Sequence, residues 1–299
     1  MISDTALQTR IDAAYKLLES CHACPRACGV NRLTNEKTGF CRSGLNPIIS
    51  SVCAHHGEEP PLSGTKGSGT IFFANCNLRC VYCQNYPISQ MGNGVEKTPK
   101  ELAGQMLWLQ EQECHNLNLV TPSHFMPQIL KSLDMARQRG FDLPIVYNTN
   151  GYESLEALRL LDGIVDIYLP DMRYSDNGYS VRYSGVSHYL EVNRAAVKEM
   201  HRQVGNLVVD ESGFGKRGLI IRHLILPKGL SGTEVIMKFL AEEVSKDVYI
   251  SLMSQYFPAY KAKCYEELSR RITAKEYEEA YVIMKKYGLE NGWIQEHEG

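Results

Sequence analysis

Short, continuous apolar runs alternate with longer stretches of helical spacing between residues 70 and 253. Runs such as Leu117-Asn118-Leu119-Val120, Pro144-Ile145-Val146-Tyr147 and Ile164-Val165-Asp166-Ile167-Tyr168-Leu169 are unbroken rather than alternating. That pattern marks parallel strands buried on both faces. Strands are expected at 70–75, 116–121, 144–148, 164–169, 219–226 and 248–253, and helices near 98–113, 126–139, 153–161, 187–204 and 233–245. Six strands alternating with helices imply right-handed crossovers. The expected fold is therefore α/β: a partial (βα)6 TIM-type barrel of parallel strands, about three quarters of an eight-fold one. Ligands in such folds sit at the C-terminal strand ends, so chemically special residues should follow the strands. Cys76, Cys80 and Cys83 follow the first; Thr121-Pro122-Ser123-His124 the second; Asn148-Thr149-Asn150-Gly151 the third; Asp171-Met172-Arg173 the fourth; Gln255-Tyr256 the sixth. On the fifth, Arg222 and His223 lie within the strand.

The pattern changes at both ends. After a helix expected from Thr5 to Ser20, the segment up to about residue 60 is rich in Cys, Gly, Pro and Arg and has little periodicity. Near the C-terminus, Thr273 and Glu276 fit a capping box that opens a covering helix through about Tyr287. The expected division is a small N-terminal cysteine-rich module over 1–64, a barrel core over 65–258 and a helical extension over 259–299 packed on the core.

The net charge of −2, from 32 basic and 34 acidic residues, gives no sign of a nucleic-acid surface. No apolar stretch approaches ~20 residues, so no membrane span is expected. The start, Met1-Ile2-Ser3-Asp4-Thr5, lacks a basic, then apolar, signal pattern. Ten cysteines without such a signal argue for metal binding rather than disulfides, and the cytoplasm is the consistent compartment. Eight of the ten lie between Cys21 and Cys83; Cys114 and Cys264 read as ordinary thiols.

Cys76, Cys80 and Cys83 form a C-x3-C-x2-C triplet directly after Thr70-Ile71-Phe72-Phe73-Ala74. Three thiolates on one loop can hold three irons of a [4Fe–4S] cubane and leave the fourth iron open. The other reading is a zinc knuckle with a distant fourth ligand. The strings Cys24-Pro25-Arg26-Ala27-Cys28-Gly29, Gly67-Ser68-Gly69-Thr70-Ile71-Phe72-Phe73, the triplet with Gln84-Asn85, Asn118-Leu119-Val120-Thr121-Pro122, Tyr168-Leu169-Pro170-Asp171 and Ile221-Arg222-His223-Leu224 resemble the radical S-adenosylmethionine (SAM) superfamily. Within it they are similar to the pyruvate formate-lyase activating enzyme-like group, in its cysteine-rich branch.

The resemblance implies a radical SAM oxidoreductase. Cys76, Cys80 and Cys83 would carry a [4Fe–4S] cluster whose open iron takes SAM, and reductive cleavage of SAM would give a 5′-deoxyadenosyl radical for hydrogen abstraction. SAM contacts are implied at Tyr82, Thr121, Ser123, Asn148, Asn150, Asp171, Arg173 and Arg222. Asp171 suits a ribose hydroxyl or the ammonium, Arg173 suits the methionyl carboxylate, and Arg222 suits that carboxylate or the substrate; Arg222 also fits a structural ion pair. Where many members carry Gly-Gly-Glu after the second strand, this chain has Thr121-Pro122-Ser123-His124. His124 reads as a ligand, a general acid or a packed loop residue. The implied partners are a low-potential electron donor of flavodoxin or ferredoxin type and a radical acceptor, either a glycyl-radical enzyme or another peptide or small molecule. The rival reading is a non-catalytic iron–sulfur or zinc protein for electron transfer or assembly.

A second group, Cys21, Cys24, Cys28 and Cys41, is flanked by Gly29, Gly39 and Gly44. Four thiolates suit a closed zinc site or a complete second [4Fe–4S] cluster. The absence of any metal is the third possibility. Cys53, His55 and His56 lie close by in sequence, either as substitute ligands or as lining of the loop into the barrel.

Overall fold

The computed structural model describes residues 4–295. Its strands are β1 (Ile48–His55), β2 (Ser68–Phe73), β3 (Val95–Glu96), β4 (Leu117–Val120), β5 (Ile145–Thr149), β6 (Ile167–Pro170), β7 (Val208–Val209), β8 (Gly215–Leu224), β9 (Tyr249–Met253) and β10 (Gly292–Ile294). Its α-helices are α1 (Asp4–Lys16), α2 (Pro60–Ser63), α3 (Tyr86–Ser89), α4 (Pro99–Glu111), α5 (Met126–Arg137), α6 (Leu155–Leu160), α7 (Asn177–Ser184), α8 (Tyr189–Val204), α9 (Thr233–Phe239) and α10 (Ala274–Lys286).

The strands form one sheet in the order β10-β9-β8-β6-β5-β4-β2-β1-β3, with β7 beside β8. The six expected strands are β2, β4, β5, β6, β8 and β9, and every pairing among them is parallel. Two additions flank them. β1 runs antiparallel to β2, and β10 runs parallel to β9. The path is open at β10 and β3, so this is a mixed sheet with flanking helices, consistent with a partial barrel.

Strand alternation sorts the buried residues into two layers. Ile145, Tyr147, Tyr168, Leu219 and Ile221 join the large core between sheet and helices. Val146, Ile167, Leu169 and Ile220 face the other way and pack with Leu62. Leu62 belongs to α2, a single turn opened by Pro60 and Pro61, and it plugs the inner side of the sheet.

Local signals explain the long helices. Thr98 and Glu101 form a reciprocal capping box on α4, with Pro99 in the first turn. Thr273 and Glu276 do the same for α10. At the N-terminus, Leu7, Ile11, Ala14, Leu17 and Leu18 belong to the main core, so α1 is seated on the barrel helices. No described helix is long and apolar enough to cross a membrane.

Candidate functional site

Strand β2 delivers the chain into the cysteine triplet, whose sulfurs are ringed by donors. Leu78 N–H (3.3 Å) and Asn150 Nδ2 (3.4 Å) donate to Cys76 Sγ. Ser184 Oγ donates to Cys80 Sγ at 2.9 Å, and Cys83 Sγ lies 3.1 Å from Ser89 Oγ. Behind Ser184 stands a chain of hydroxyls: Tyr82 to Tyr174 at 2.7 Å, and Tyr174 to Ser184 at 2.7 Å. Burial, with Cys80 and then Cys83 adding repulsion, pushes the Cys76 thiol up to about 12. Burial also raises Cys83. Three crowded thiols without a disulfide, two with donors aimed at the sulfur and the third against the Ser89 hydroxyl, suit a thiolate-bound cluster, where such hydrogen bonds set the potential.

Beside the triplet lies a cavity of about 160 Å³ lined by Tyr82, Cys83, Gln84, Asn85, Asp171, Arg173, Arg222, Leu224, Met253 and Gln255. Sheet pairing builds its charged wall. Asp171 follows β6 and bridges Arg222 of β8. The Asp171 carboxylate is shared: Oδ1 accepts from Arg222 Nε at 2.9 Å and Oδ2 accepts from Arg173 Nη2. Arg222 also donates to Asn148 Oδ1 at 2.7 Å. Burial opposes the Arg222 charge, but Asp171, Glu59 and Glu58 outweigh it and raise its pKa. Arg173 is raised in the same way by Asp171 and Cys80 against its burial.

A tight turn holds Asp171 in place. Gly151 has φ +75°, and a Cβ there would meet Asn193 Nδ2 at 2.1 Å and the Asp171 carbonyl at 2.4 Å. Asn193 Nδ2 donates to both the Gly151 (3.1 Å) and Asp171 (3.0 Å) carbonyls.

The cavity continues inward. A space of about 420 Å³, lined among others by His55, Glu58, Glu59, Phe72, Val120, Asn148 and Trp293, shares Asn85, Arg222, Met253 and Gln255 with it. Burial lifts the Glu59 carboxyl to about 7; Arg222 pulls it down and Glu58 pushes it up. Glu58 lies 3.9 Å from Arg222 Nη1. Glu58 and Glu59 were not foreseen, because the Gly57-Glu58-Glu59-Pro60-Pro61 segment reads as a polar linker.

The structure thus brings Tyr82, Asp171, Arg173 and Arg222 together around one cavity, with Asn148 on the adjoining space and Asn150 behind Cys76. Thr121 and Ser123 do not line it. Thr121 turns the chain with φ +60°, and Ser123 Oγ donates instead to Glu153, which also accepts from Thr149. Glu153 is a second unforeseen carboxyl; burial raises it to about 7 against the bonds from Ser123, Thr149 and Tyr147. His124 is fully buried, bonded to the Ala74 carbonyl at 2.9 Å, and lowered to about 3 by that burial. Cys21, Cys24, Cys28 and Cys41 line a separate cavity that also takes in His124. Cys53 and His55 lie on β1 and do not line that cavity. Among the described residues, no three His, Cys, Asp or Glu side chains are grouped as a single metal ion requires.

A radical SAM superfamily model matches residues 70–210. The uncharacterized protein MJ0674 of Methanocaldococcus jannaschii is 34% identical over 299 residues, covering 97% of this chain and 81% of that one. A second uncharacterized protein of the same organism, MJ0808, is 27% identical over 263 residues, covering 81% of this chain and 71% of its own. Among solved structures, a radical SAM methyltransferase from Sphaerobacter thermophilus superposes with a TM-score of 0.51 at 12% identity, over 76% of this chain and 65% of that one. That likeness is one of fold, and it spans just under two thirds of the methyltransferase.

Proposed function

The chain belongs to the radical SAM superfamily, and from that premise we propose that Asp171, Arg173 and Arg222 hold SAM beside a [4Fe–4S] cluster carried by Cys76, Cys80 and Cys83. When bound, the cluster supplies the electron that cleaves SAM to methionine and a 5′-deoxyadenosyl radical, which takes a hydrogen from the substrate. The protein's part is to bind, orient and shield.

One observation carries the assignment: a single carboxylate shared by two arginines in the wall of the cavity beside Cys83. Arg173 and Arg222 suit the methionyl carboxylate, and Asp171 with Glu58 suits an ammonium or sulfonium. Two cations, Arg173 and Arg222, face three carboxyl groups, Asp171, Glu58 and Glu59, and the negative excess when all are ionised suits a ligand with two positive charges and one negative. Burying those charges without partners would cost several kcal/mol. Anaerobically reconstituted protein with SAM and a strong reductant is expected to release 5′-deoxyadenosine and methionine. No 5′-deoxyadenosine from cluster-replete protein, across several reductants, would overturn the reading.

For the hydrogen donor, the reading is a backbone glycine of a glycyl-radical enzyme, with a flavodoxin- or ferredoxin-type protein as reductant and a reducing, cytoplasmic setting. Its support is the resemblance of the triplet with Gln84-Asn85 and of Ile221-Arg222-His223-Leu224 to the activating enzyme-like group. A small polar molecule bound inside the barrel is the second reading. It is favoured by buried polar atoms without partners on or beside the inner face: Asn118 Nδ2 and Oδ1, Ser251 Oγ and Glu59 Oε2. Deuterium in 5′-deoxyadenosine after incubation with a glycine-deuterated target enzyme supports the first. Its absence, with SAM cleavage stimulated by a metabolite extract, supports the second.

A further inference from the structure

The N-terminal cysteines gather around a cavity of their own. Cys21, Cys24, Cys28 and Cys41 line one narrow cleft with Arg26, Arg32 and His124. None of the four is in a disulfide; three are buried and Cys28 is exposed. Two donors already face the sulfurs: Phe40 N–H to Cys28 Sγ at 3.4 Å, and Arg32 Nη1 near Cys21 Sγ at 3.9 Å.

The lining carries positive charge with no carboxylate to meet it. Arg32 is fully buried and donates only to carbonyls, those of Gly44 (3.2 and 3.0 Å) and His124 (2.6 Å), besides its contact with Cys21. Neither Arg32 nor Arg26 forms an ion pair with a carboxylate among the described residues. Arg26 Nη2 and His124 Nδ1 are buried without any hydrogen-bond partner. A buried cation without a counter-charge is costly. A body bearing several thiolates would answer both the charge and the orphaned donor.

Coordination chemistry separates the candidates. A tetrahedral zinc ion draws four sulfurs in to about 2.3 Å from one centre, whereas a cubane holds each sulfur on a different iron. A cubane also brings sulfides of its own, which can accept from the buried, unpartnered Arg26 Nη2, whereas a zinc ion brings no further acceptor. We propose that Cys21, Cys24, Cys28 and Cys41 bind a second, fully ligated [4Fe–4S] cluster. Arg26 ties this site to the first: its Nε donates to the Asn77 carbonyl at 2.8 Å, and Asn77 Oδ1 accepts from the same Asn150 Nδ2 that reaches Cys76.

The test uses full-length protein purified and reconstituted without oxygen, with iron, sulfide and zinc counted and the clusters typed by Mössbauer spectroscopy. The wild type is expected to carry about eight irons, and the Cys76→Ala/Cys80→Ala/Cys83→Ala variant about four in one [4Fe–4S] cluster. A Cys24→Ser/Cys28→Ser variant should also carry about four, all SAM-sensitive. About one zinc, or no metal, in the triplet variant overturns the proposal even if the Cys24/Cys28 variant does not fold. Wild type with four irons, all lost with the triplet, overturns it and leaves the SAM-cluster reading standing. Loss of iron only with Cys24 and Cys28 does the reverse.

Discussion

Asp171→Asn separates a cofactor site from a structural ion pair. The substitution keeps the side chain's size and removes its charge. In the wild type one carboxylate serves two guanidinium groups, Arg222 through Oδ1 at 2.9 Å and Arg173 through Oδ2. Asp171 itself is only 6% exposed. An asparagine has one oxygen to accept with, and its amide nitrogen would face a guanidinium donor. One arginine therefore loses its partner, and the other keeps only a neutral bond. A hydrogen bond to a charged group contributes about 1.5–3 kcal/mol. The loss of one such contact in aligning SAM is expected to weaken binding about 10- to 150-fold. Fold stability should also fall, by about 3 kcal/mol, the lower end of what breaking a buried pair costs, because both arginines keep some access to water. The assay is equilibrium SAM binding to reconstituted protein, with iron content as the control, since no proposed cluster ligand is touched. Arg222→Lys keeps the charge but loses the fork to Asp171 and Asn148, and a smaller loss is expected. Wild-type SAM affinity in iron-replete Asp171→Asn would remove Asp171 from the site.

Ser184→Ala deletes the hydroxyl that donates to Cys80 Sγ; the cluster's midpoint potential should become more negative, and an unchanged redox titration would show that this bond does not tune it. Leu62→Ala empties the plug against Val146, Ile167, Leu169 and Ile220; urea unfolding should report a loss of about 2–5 kcal/mol, and a change well under 1 would show that the turn is not seated in the sheet. Glu153 has a folded pKa raised from 4.5 to about 7, so the stability it contributes is complete below pH 4.5 and is lost as pH rises through 7. The swing is about 3 kcal/mol; Glu153→Gln should flatten unfolding free energy across that window, and an unaltered slope would place its cause elsewhere.

The strand pattern located the six parallel strands because burial on both faces leaves an unbroken apolar run. It missed β10, whose three residues are too few to carry a period, and β1, whose Ser50-Ser51 breaks its run. Helix α7 was missed for a similar reason: Asp176 caps it and Gly185 ends it in the left-handed region, leaving eight residues with little apolar face. The strand-end rule found Asp171 and Arg222 because parallel pairing sets them side by side. The same rule is blind to direction beyond the strand, so it could not tell that the turn at Thr121 sends Ser123 to Glu153. Glu58 and Glu59 had no local signal at all. They reach the inner cavity only because the proline-opened turn after them inserts Leu62 from outside the strand order.

Sheet geometry also explains why the charges collect where they do. Inner-face positions recur every second residue. Ile220 therefore lies with the apolar plug, and Arg222, one step further along β8, meets Asp171 on one side and Ser251 on the other. Val146 and Asn148 repeat the step on β5, apolar and then polar, and Asn148 accepts from Arg222. The inner face thus changes from hydrocarbon to charge within two residues, at the end of the strands where the cysteine triplet also emerges. Two guanidinium groups at that level would repel each other, and Asp171 holds both in place. The sheet places Arg222 and the loop after β6 adds Arg173, so the carboxylate between them ties loop to sheet.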